Sequence, residues 1–344
     1  MVWTAGHVVL EAGGLIPEML NVELDDPGVE RCTMNSQSRT ASFSVLAPAK
    51  INLWLRVLSR REDGFHELET RLAPLDLCDR VTLSVDPSQL PGSVTFSCDD
   101  PDVPCDETNL VVKAVRALET YTGPLPGMRL HLEKRIPHGA GLGGGSSDAA
   151  ATLRLLQRAF CQDLPRELLT DVAAAVGSDV PFFLDGGVAD AVGRGERITG
   201  VPGFTATSRV LLVKLPFGIP TPWAYRQWRE AAEVPGLPYA PQPSELGLLL
   251  NDLESPVFEK YQILGHLKAA LLAAPGVTAA LMSGSGSTVF ALLDEAADVS
   301  VVAAAVREEA GGEVRLIATR LAPGLCSIAS PAESGPLTST DVAL

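Results

Sequence analysis

A glycine-rich stretch carries the clearest chemical signal in the sequence. Residues 134–160 read KRIPHGAGLGGGSSDAAATLRLLQRAF, and five of the seven residues from 139 to 145 are glycine. Glycine has no Cβ, so its backbone can adopt positive φ and come close to phosphate oxygens. Apolar residues at helical spacing from Ala149 to Phe160 predict a helix directly behind the glycines. The free N–H groups and the positive dipole end of that helix favour an anion, so the stretch predicts a phosphate-binding loop.

Other interpretations of this loop have to be weighed. Gly139, Gly141 and Gly144 satisfy the G-x-G-x-x-G pattern of dinucleotide-binding proteins, but those glycines follow directly on a buried strand, whereas EKRIPH intervenes here. A flexible glycine linker would not run straight into the start of a helix. A Walker-type loop is excluded because the stretch lacks G-K-[ST].

Polar side chains follow the glycines at the predicted start of the helix. Ser146, Ser147 and Asp148 are expected to cap its first turn. Either serine hydroxyl could also contact a phosphate oxygen or a magnesium ion. The loop would then offer an anion both backbone and hydroxyl groups.

Two charged side chains outside the loop could take part in phosphoryl transfer. Lys50 shares one face of a predicted strand with Asn52, and a lysine there either snorkels at a sheet edge or neutralises a phosphate. Asp179 follows the end of a predicted helix and precedes Val180-Pro181 and two phenylalanines. An aspartate in such a turn either bonds the backbone or accepts a proton from a hydroxyl.

Composition and charge exclude several classes of function. The 344 residues exceed one typical core, so two domains are expected. A net charge of −15 argues against a nucleic-acid partner, and basic side chains such as Lys50 and Lys134 would stand out at a site. No apolar run is long enough to span a bilayer, and the N-terminus lacks the pattern of a signal peptide. We therefore expect a cytoplasmic protein without a membrane partner.

The six cysteines form neither a C-x-x-C pair nor a metal-type spacing with histidine. They are interpreted as reduced thiols, with a Cys98–Cys105 disulfide as the alternative. No dedicated metal site is predicted from these residues.

Both ends of the chain differ in composition from its middle. Residues 1–41 show no sustained period and are expected to form a poorly ordered extension, in which Met34 could be the true start. Residues 326–344 are rich in Ser, Pro and Thr and are expected to be disordered.

The predicted elements between these ends fall into two domains. The first covers 42–205 and begins with strands around a turn at Asp63-Gly64, followed by a separate strand near Val81–Val85. Its first helix is capped by Thr108-Asn109. The second domain covers 206–325 and has a βαββαβ order, with a proline-rich surface loop over residues 232–245.

Taken together, these motifs resemble the GHMP kinase superfamily, named for galacto-, homoserine, mevalonate and phosphomevalonate kinases. The resemblance is carried by APAKINLWLRVLSRREDGFHEL, KRIPHGAGLGGGSSDAA, GSDVPFF, FGIPTP, NDLE and MSGSGST, which are distributed over residues 42–321. PAKINL and DGFHEL resemble the members that act on a cytidyl diphosphate sugar alcohol. The resemblance implies an α+β fold: an N-terminal domain like ribosomal protein S5, a ferredoxin-like C-terminal domain, and an active site in the cleft between them.

The resemblance also implies roles for individual residues. Asp179 would be the catalytic aspartate and Lys50 its partner. The nucleotide would contact Asn109, Lys134, Pro137, His138, Gly139, Ala140, Gly141, Leu142, Gly143, Gly144, Gly145, Ser146 and Ser147. The second substrate would contact Asn52, Phe65, His66, Thr221, Tyr225, Gly284 and Gly286. Phe65 replaces a common tyrosine, which keeps ring stacking and loses a hydroxyl contact.

The activity implied is ATP-dependent phosphorylation of a hydroxyl group, in the non-mevalonate synthesis of isoprenoid precursors. Mg²⁺ would be held mainly by substrate oxygens, and the protein would be a monomer or a weak homodimer. Another GHMP kinase, of the homoserine or mevalonate type, would not need a base clamp at Phe65-His66. A non-catalytic sensor with the same fold would tolerate loss of Asp179 or Lys50.

Overall fold

A computed structural model describes residues 30–31, 42–161, 163–324 and 340–341. The predicted disorder of both chain ends and the alternative start at Met34 lie outside the described residues. The exceptions are two short strands, Glu30–Arg31 and Thr340–Asp341. The strands are β1 (Glu30–Arg31), β2 (Ser42–Arg60), β3 (His66–Val85), β4 (Val94–Cys98), β5 (Met128–Glu133), β6 (Ala189–Gly193), β7 (Arg197–Gly200), β8 (Arg209–Lys214), β9 (Gln242–Ser244), β10 (Gly247–Asn251), β11 (Val277–Met282), β12 (Thr288–Leu293), β13 (Arg315–Arg320) and β14 (Thr340–Asp341). The helices are α1 (Leu110–Thr122), α2 (Gly144–Phe160), α3 (Arg166–Val176), α4 (Val180–Asp185), α5 (Thr221–Gln227), α6 (Glu254–Lys260), α7 (Gln262–Ala273) and α8 (Val299–Ala310).

The first sheet is organised around a long antiparallel pair. β2 and β3 run for 19 and 20 residues and pair along nearly their whole length. The predicted Asp63-Gly64 turn joins them, and Gly64 has φ +85°. The prediction of a separate strand at Val81–Val85 was wrong, because β3 continues through this segment. Residues 72–79 are buried except Asp76, so the alternation that marks a half-buried strand is missing there.

Two strands from the second half of the chain join this first sheet, whose main order is β4-β5-β3-β2-β10-β9. β10 pairs in parallel with β2, where Leu250 lies opposite Trp54. The predicted surface loop over 232–245 therefore ends in a short strand. Gln242 binds Ala280 through both polar atoms of its amide, which fixes this strand against β11. The predicted division of the chain at residue 205 stays a prediction.

The second sheet is antiparallel and has the order β11-β12-β8-β13-β14. Its elements β8, α7, β11, β12, α8 and β13 follow the chain in the predicted βαββαβ order, which is confirmed. Both sheets are mainly antiparallel and carry helices, which agrees with an α+β fold. A shared apolar cluster joins the two sheets, with Ile51 and Leu53 of β2 packed in one group with Leu212 and Phe290 of the second sheet.

The two helices beside the predicted nucleotide site start differently. Asn109 caps α1 as predicted, since its Oδ1 accepts from Val111 N at 2.9 Å. The predicted caps of α2 were wrong. That helix begins at Gly144, with Gly143 as its cap in the left-handed region, so Ser146 and Ser147 already lie inside the first turn.

Cys98 and Cys105 carry free thiols, which agrees with the interpretation of reduced cysteines.

Candidate active site

Most of the predicted site residues meet in one cleft of about 500 Å³ that is lined by elements of both halves of the chain. The predicted residues on its wall are Lys50, Asn52, Asn109, Lys134, Asp179, Thr221, Tyr225, Gly284 and all ten from Pro137 to Ser146. Phe65, His66, Ser147 and Gly286 do not line the cleft. Ser147 is buried, and a Cβ on Gly286 would lie 2.9 Å from Met282 Sδ, so both pack behind the wall.

The glycine loop needs glycine for conformation and for space at two positions. Gly141 and Gly143 have φ of +75° and +71°. A Cβ on Gly141 would lie 2.2 Å from Ser283 O, and one on Gly143 would lie 2.9 Å from Lys50 Cγ. The first N–H groups of α2 follow at once and have no acceptor within the helix. The loop therefore brings free donors and the positive helix end to the wall of the cleft, where they favour an anion.

Lys50 is buried in the sheet and does not snorkel at an edge. Its side chain is 5% exposed, and Nζ donates to Asn52 Oδ1 at 2.7 Å and to Gly141 O at 2.9 Å. Asn52 Nδ2 donates to Thr70 Oγ1 at 2.8 Å, and Thr70 donates to Trp54 O at 2.6 Å. This chain of donors turns the Asn52 oxygen towards Lys50. Two acceptors thus fix the position of the ammonium group.

Asp179 is the carboxylate beside this ammonium group. It stands at the start of α4 without a capping hydrogen bond from its side chain, which is 37% exposed. Lys50 Nζ lies 3.9 Å from Asp179 Oδ2. Burial lowers the pKa of Lys50, and the charge of Asp179 opposes that change. The pair combines a poorly solvated cation with an accessible carboxylate, an arrangement that can activate a hydroxyl group and stabilise negative charge.

Lys134 lies at the wall of the cleft beside the glycine loop, in contact with two carboxylates. Its side chain is 4% exposed, Nζ donates to Asp79 Oδ2, and Nζ lies 2.8 Å from Asp148 Oδ2. Burial works to lower the pKa of Lys134, but the two carboxylates together raise it. Asp79 also accepts from the backbone N–H groups of Arg135 and Ile136. We call Lys134, Asp79 and Asp148 the buried triad; it joins β3, the end of β5 and the first turns of α2.

The Asp148 carboxyl group is the less satisfied acid of the triad. Burial raises its pKa well above the usual range. Its Oδ1 has no hydrogen-bond partner within the part of the chain that the structure describes. The aspartate predicted as a helix cap therefore serves as a partner of Lys134.

Phe65 lies beyond the rim of the cleft. Its side chain is 51% exposed, and the guanidinium carbon of Arg194 lies 4.9 Å from the centroid of its ring. Arg194 itself lines the cleft. The ring is therefore linked to the cleft through a cation that stacks on its face.

His66 and Tyr225 form an aromatic pair between the two halves of the chain. Their ring centroids are 5.5 Å apart and the rings are nearly parallel, at 28°. Burial lowers the pKa of His66, and the charges of Arg60 and Arg229 lower it further. A neutral imidazole can both donate and accept a hydrogen bond, as the polar edge of a base requires.

The loop Ser283–Ser287, here called the serine loop, brings the second sheet to the glycine loop. Ser283 Oγ donates to Gly141 O at 3.0 Å. Ser285 Oγ lies 2.8 Å from Thr221 Oγ1, and both residues line the cleft.

Several residues of the site were not predicted from the sequence. Thr70 and Asp79 act through neighbouring strands, and their partners depend on a strand register that the sequence does not reveal. Arg194 lies in a turn after β6 and gave no periodic signal. The serine loop was visible as the MSGSGST motif, but its contact with Gly141 was not.

Two family models match this chain. The model described as "GHMP kinases N terminal domain" matches residues 109–187, and the model described as "GHMP kinases C terminal" matches residues 239–311. A 4-diphosphocytidyl-2-C-methyl-D-erythritol kinase of Methylacidiphilum infernorum is 43% identical over 251 residues, 72% of this chain and 85% of that protein. The chain belongs to this family of GHMP kinases. A second 4-diphosphocytidyl-2-C-methyl-D-erythritol kinase, from Chlorobaculum tepidum, is 40% identical over 274 residues, 77% of this chain and 93% of that protein.

Solved structures of GHMP kinases share the fold. A crystal structure of 4-(cytidine 5'-diphospho)-2C-methyl-D-erythritol kinase is 35% identical, covers 81% of this chain and 99% of its own, and has a TM-score of 0.64. A homoserine kinase from Cytophaga hutchinsonii is 17% identical with a TM-score of 0.54, covers 85% of this chain and 97% of its own, and shows the fold alone. The predicted two-domain GHMP kinase fold and the ATP-dependent phosphotransferase activity of the family are thereby confirmed. None of the helices within the described ranges has the length and apolar character needed to cross a membrane.

Proposed function

We propose that this protein transfers the γ-phosphoryl group of ATP to a hydroxyl of 4-diphosphocytidyl-2-C-methyl-D-erythritol, in the non-mevalonate synthesis of isoprenoid precursors. The observation that carries the proposal is the Lys50–Asp179 pair, 3.9 Å apart on the wall of the cleft that also holds the N-terminus of α2. The names of the relatives at 43% and 40% identity support the choice of acceptor.

In this mechanism Asp179 accepts the proton of the acceptor hydroxyl. The hydroxyl oxygen forms a bond to the γ-phosphorus, and the bond from that phosphorus to the β–γ bridging oxygen breaks, which releases ADP. Lys50 neutralises charge on the transferred oxygens. Because Asn52 and Gly141 already hold its ammonium group, little reorganisation is needed when this charge develops.

ATP would lie with its phosphates at the first turn of α2 and its base towards Asn109. Ser146 and Asp179 supply oxygen atoms on the cleft wall, and oxygen is the donor that Mg²⁺ prefers. Among the described residues there is no group of three or more acidic, histidine or cysteine side chains that could hold a metal. ATP oxygens and water would therefore supply most of the ligands of Mg²⁺, which would neutralise phosphate charge when bound.

The acceptor's cytosine would be held by Phe65, His66 and Tyr225. An aromatic ring can stack on any base, whatever polar groups the base carries. The neutral imidazole of His66 can donate to and accept from the polar edge of the base, which gives selectivity. Thr221, Gly284 and Asn52 would contact the part of the acceptor nearer to Asp179. We further propose that the protein works in the cytoplasm as a monomer or a weak homodimer.

An ADP-release assay over a panel of alcohols tests this function. We expect turnover with the cytidyl diphosphate acceptor and little with homoserine or mevalonate. Phe65→Ala and His66→Ala should each raise the KM for the acceptor roughly tenfold, since stacking on a base contributes about 1–3 kcal/mol, and leave the KM for ATP unchanged.

Tyr121→Ala is the matched control, because Tyr121 is 55% exposed on α1 and Phe65 is 51% exposed. It should leave both KM values unchanged. Faster turnover with homoserine or mevalonate would identify another GHMP kinase. ATP binding without turnover on any alcohol would identify a sensor.

A further inference from the structure

The NDLE motif, Asn251–Glu254, forms a buried brace between β10 and α6. Asn251 Nδ2 donates to Met282 O at 2.7 Å and to Gly284 O at 2.8 Å, which ties down the start of the serine loop. Its Oδ1 accepts from Leu253 N at 2.9 Å. All polar atoms of this side chain are thus used, so its orientation is fixed.

The two charged residues of the motif, Asp252 and Glu254, bind the segments on either side of the brace. Glu254 Oε1 accepts from Met282 N at 2.9 Å, and Oε2 lies 2.6 Å from Lys268 Nζ. Glu254 and Lys268 are both buried. Asp252 Oδ2 accepts from Val57 N at 2.8 Å, near the end of β2. The brace therefore connects the serine loop to the strand that carries Lys50.

The serine loop shares one acceptor with Lys50. Gly141 O accepts from Ser283 Oγ at 3.0 Å and from Lys50 Nζ at 2.9 Å. A Cβ on Gly284 would lie 3.4 Å from Lys50 Nζ, so the loop backbone also borders the ammonium group. Ser283 and Asn251 are 0% and 6% exposed, which makes direct contact of these side chains with substrate a poor explanation of their presence.

We infer that Ser283 and Asn251 are positioning residues for the phosphoryl transfer, and that they act by fixing the Gly141 carbonyl and, through it, the ammonium group of Lys50. This inference rests on the proposed function, in which Lys50 neutralises charge on the transferred group. A carbonyl oxygen has two lone pairs. The Ser283 hydroxyl occupies one of them and so directs the other at Lys50. The position of the ammonium group affects how well charge is stabilised during transfer, and it affects substrate binding less.

The decisive comparison is between two serines of the same loop. Ser283→Ala removes the donor to Gly141, and we expect kcat to fall about tenfold with both KM values within about twofold. Ser287→Ala is the control, because Ser287 is equally buried but its Oγ donates to Phe217 O and not to Gly141 O. Equal kcat values for the two variants would overturn the inference. Asn251→Ala should lower kcat as Ser283→Ala does, and because Asn251 Nδ2 also holds Gly284 O, only kcat is compared for this variant.

A double-mutant cycle separates positioning from general damage to the site. In a Lys50→Met background, Ser283→Ala should lower single-turnover rates less than twofold, because the group through which it acts is gone. The same tenfold loss in both backgrounds would mean that Ser283 acts independently of Lys50. If the wild-type protein has no activity on the cytidyl diphosphate acceptor, the proposed function fails, and this positioning role is then judged by labelling alone.

Lysine labelling supplies that readout without turnover. Reductive methylation of the ligand-free protein acts on the unprotonated amine, so peptide mass spectrometry of the product reports how accessible each lysine amine is. Ser283→Ala should speed methylation at Lys50 several-fold over wild type, while exposed Lys113 on α1 reacts at the same rate in both proteins. Unchanged methylation of Lys50 would overturn the inference whatever the kinetics show.

Discussion

Burial of Lys50 disfavours its charged form, whereas its proposed role in phosphoryl transfer depends on that charge. Removing an ammonium group from water disfavours its charged form, and the lowered pKa of Lys50 shows that burial outweighs the attraction of Asp179. The same poor solvation makes the charge effective towards a phosphoryl group nearby. The site thus holds a group that favours the reaction and does not favour folding, a common trade-off in enzymes.

The stability of the protein should show this conflict as a function of pH. Between the lowered pKa of Lys50 and its ordinary value of 10.5, the unfolded chain holds more protons on Lys50 than the folded chain. Raising the pH through this window should therefore stabilise the wild type relative to Lys50→Met. Urea unfolding of both proteins at neutral pH and just below pH 10.5 measures the difference. Parallel pH dependences would contradict the burial effect.

Asp179→Asn should separate binding from chemistry. The amide keeps the size of the side chain but cannot accept the proton, so turnover should fall roughly 10²- to 10⁴-fold. ATP affinity by calorimetry should stay close to that of the wild type. Asp171→Asn, at an exposed position of α3, is the control and should keep full activity. If Asp179→Asn were nearly as active as the wild type, another group must accept the proton.

At the scale of elements, the buried triad explains how the glycine loop and the start of α2 are held in place. Asp79 comes from β3, Lys134 from the end of β5, and Asp148 from α2, so the three elements meet at one ammonium group. The resemblance implied a nucleotide contact for Lys134. With two carboxylates as partners, its charge is better suited to holding the loop in place than to binding phosphate.

Lys134→Met tests which role dominates. It would leave two buried carboxyl groups without their cation, and breaking a buried ion pair in this way typically lowers the free energy of unfolding by about 3–5 kcal/mol. Urea unfolding measures the loss. Lys113→Met, at an exposed position of α1, should change the same quantity by less than about 0.5 kcal/mol. Normal stability with weakened ATP binding would instead identify Lys134 as a phosphate ligand.

Local signals in the sequence predicted an element well where one of its faces is buried and the other exposed. They predicted it poorly where alternation is missing or the helix cap has no side chain. The α1 cap at Asn109, the βαββαβ order and the position of the glycine loop all follow from spacing and residue type. The continuous β3 was missed because residues 72–79 are buried with little alternation. The start of α2 was placed too late, since the serines resemble caps and the actual cap, Gly143, has no side chain.

Contacts between distant segments were beyond sequence reasoning. Lys50 and Asp179 could be proposed as partners only through a family resemblance, because 128 residues of intervening chain must fold before they meet. The partners of Thr70 and Ser283 depend on strand register and on how the two sheets pack. These are properties of the assembled core and leave no periodic trace.

At the scale of the whole molecule, the two sheets should not fold independently. A fragment of residues 42–205 would lack β10, which pairs with β2, and the second-sheet side chains that pack on Ile51 and Leu53. An uncovered strand edge and apolar face favour aggregation. We expect this fragment to elute as aggregates in size-exclusion chromatography, whereas residues 42–324 elute as a compact species. A monomeric, cooperatively unfolding 42–205 fragment would contradict this expectation.

The return of the chain to the first sheet at β9 and β10 also limits how relatives of this fold can exchange parts. A chimera joined near residue 205 would take β2 from one parent and its parallel neighbour β10 from the other, and the Asn251–Glu254 brace would meet a foreign Val57. A crossover after Glu254 would keep β2 with β10 but would separate β8 from its partners β12 and β13, and the brace from Lys268, Met282 and Gly284. Neither junction keeps every strand pair within one parent, so single-crossover recombinants at both places should unfold at lower temperature than either parent, which a thermal melt of the chimeras measures.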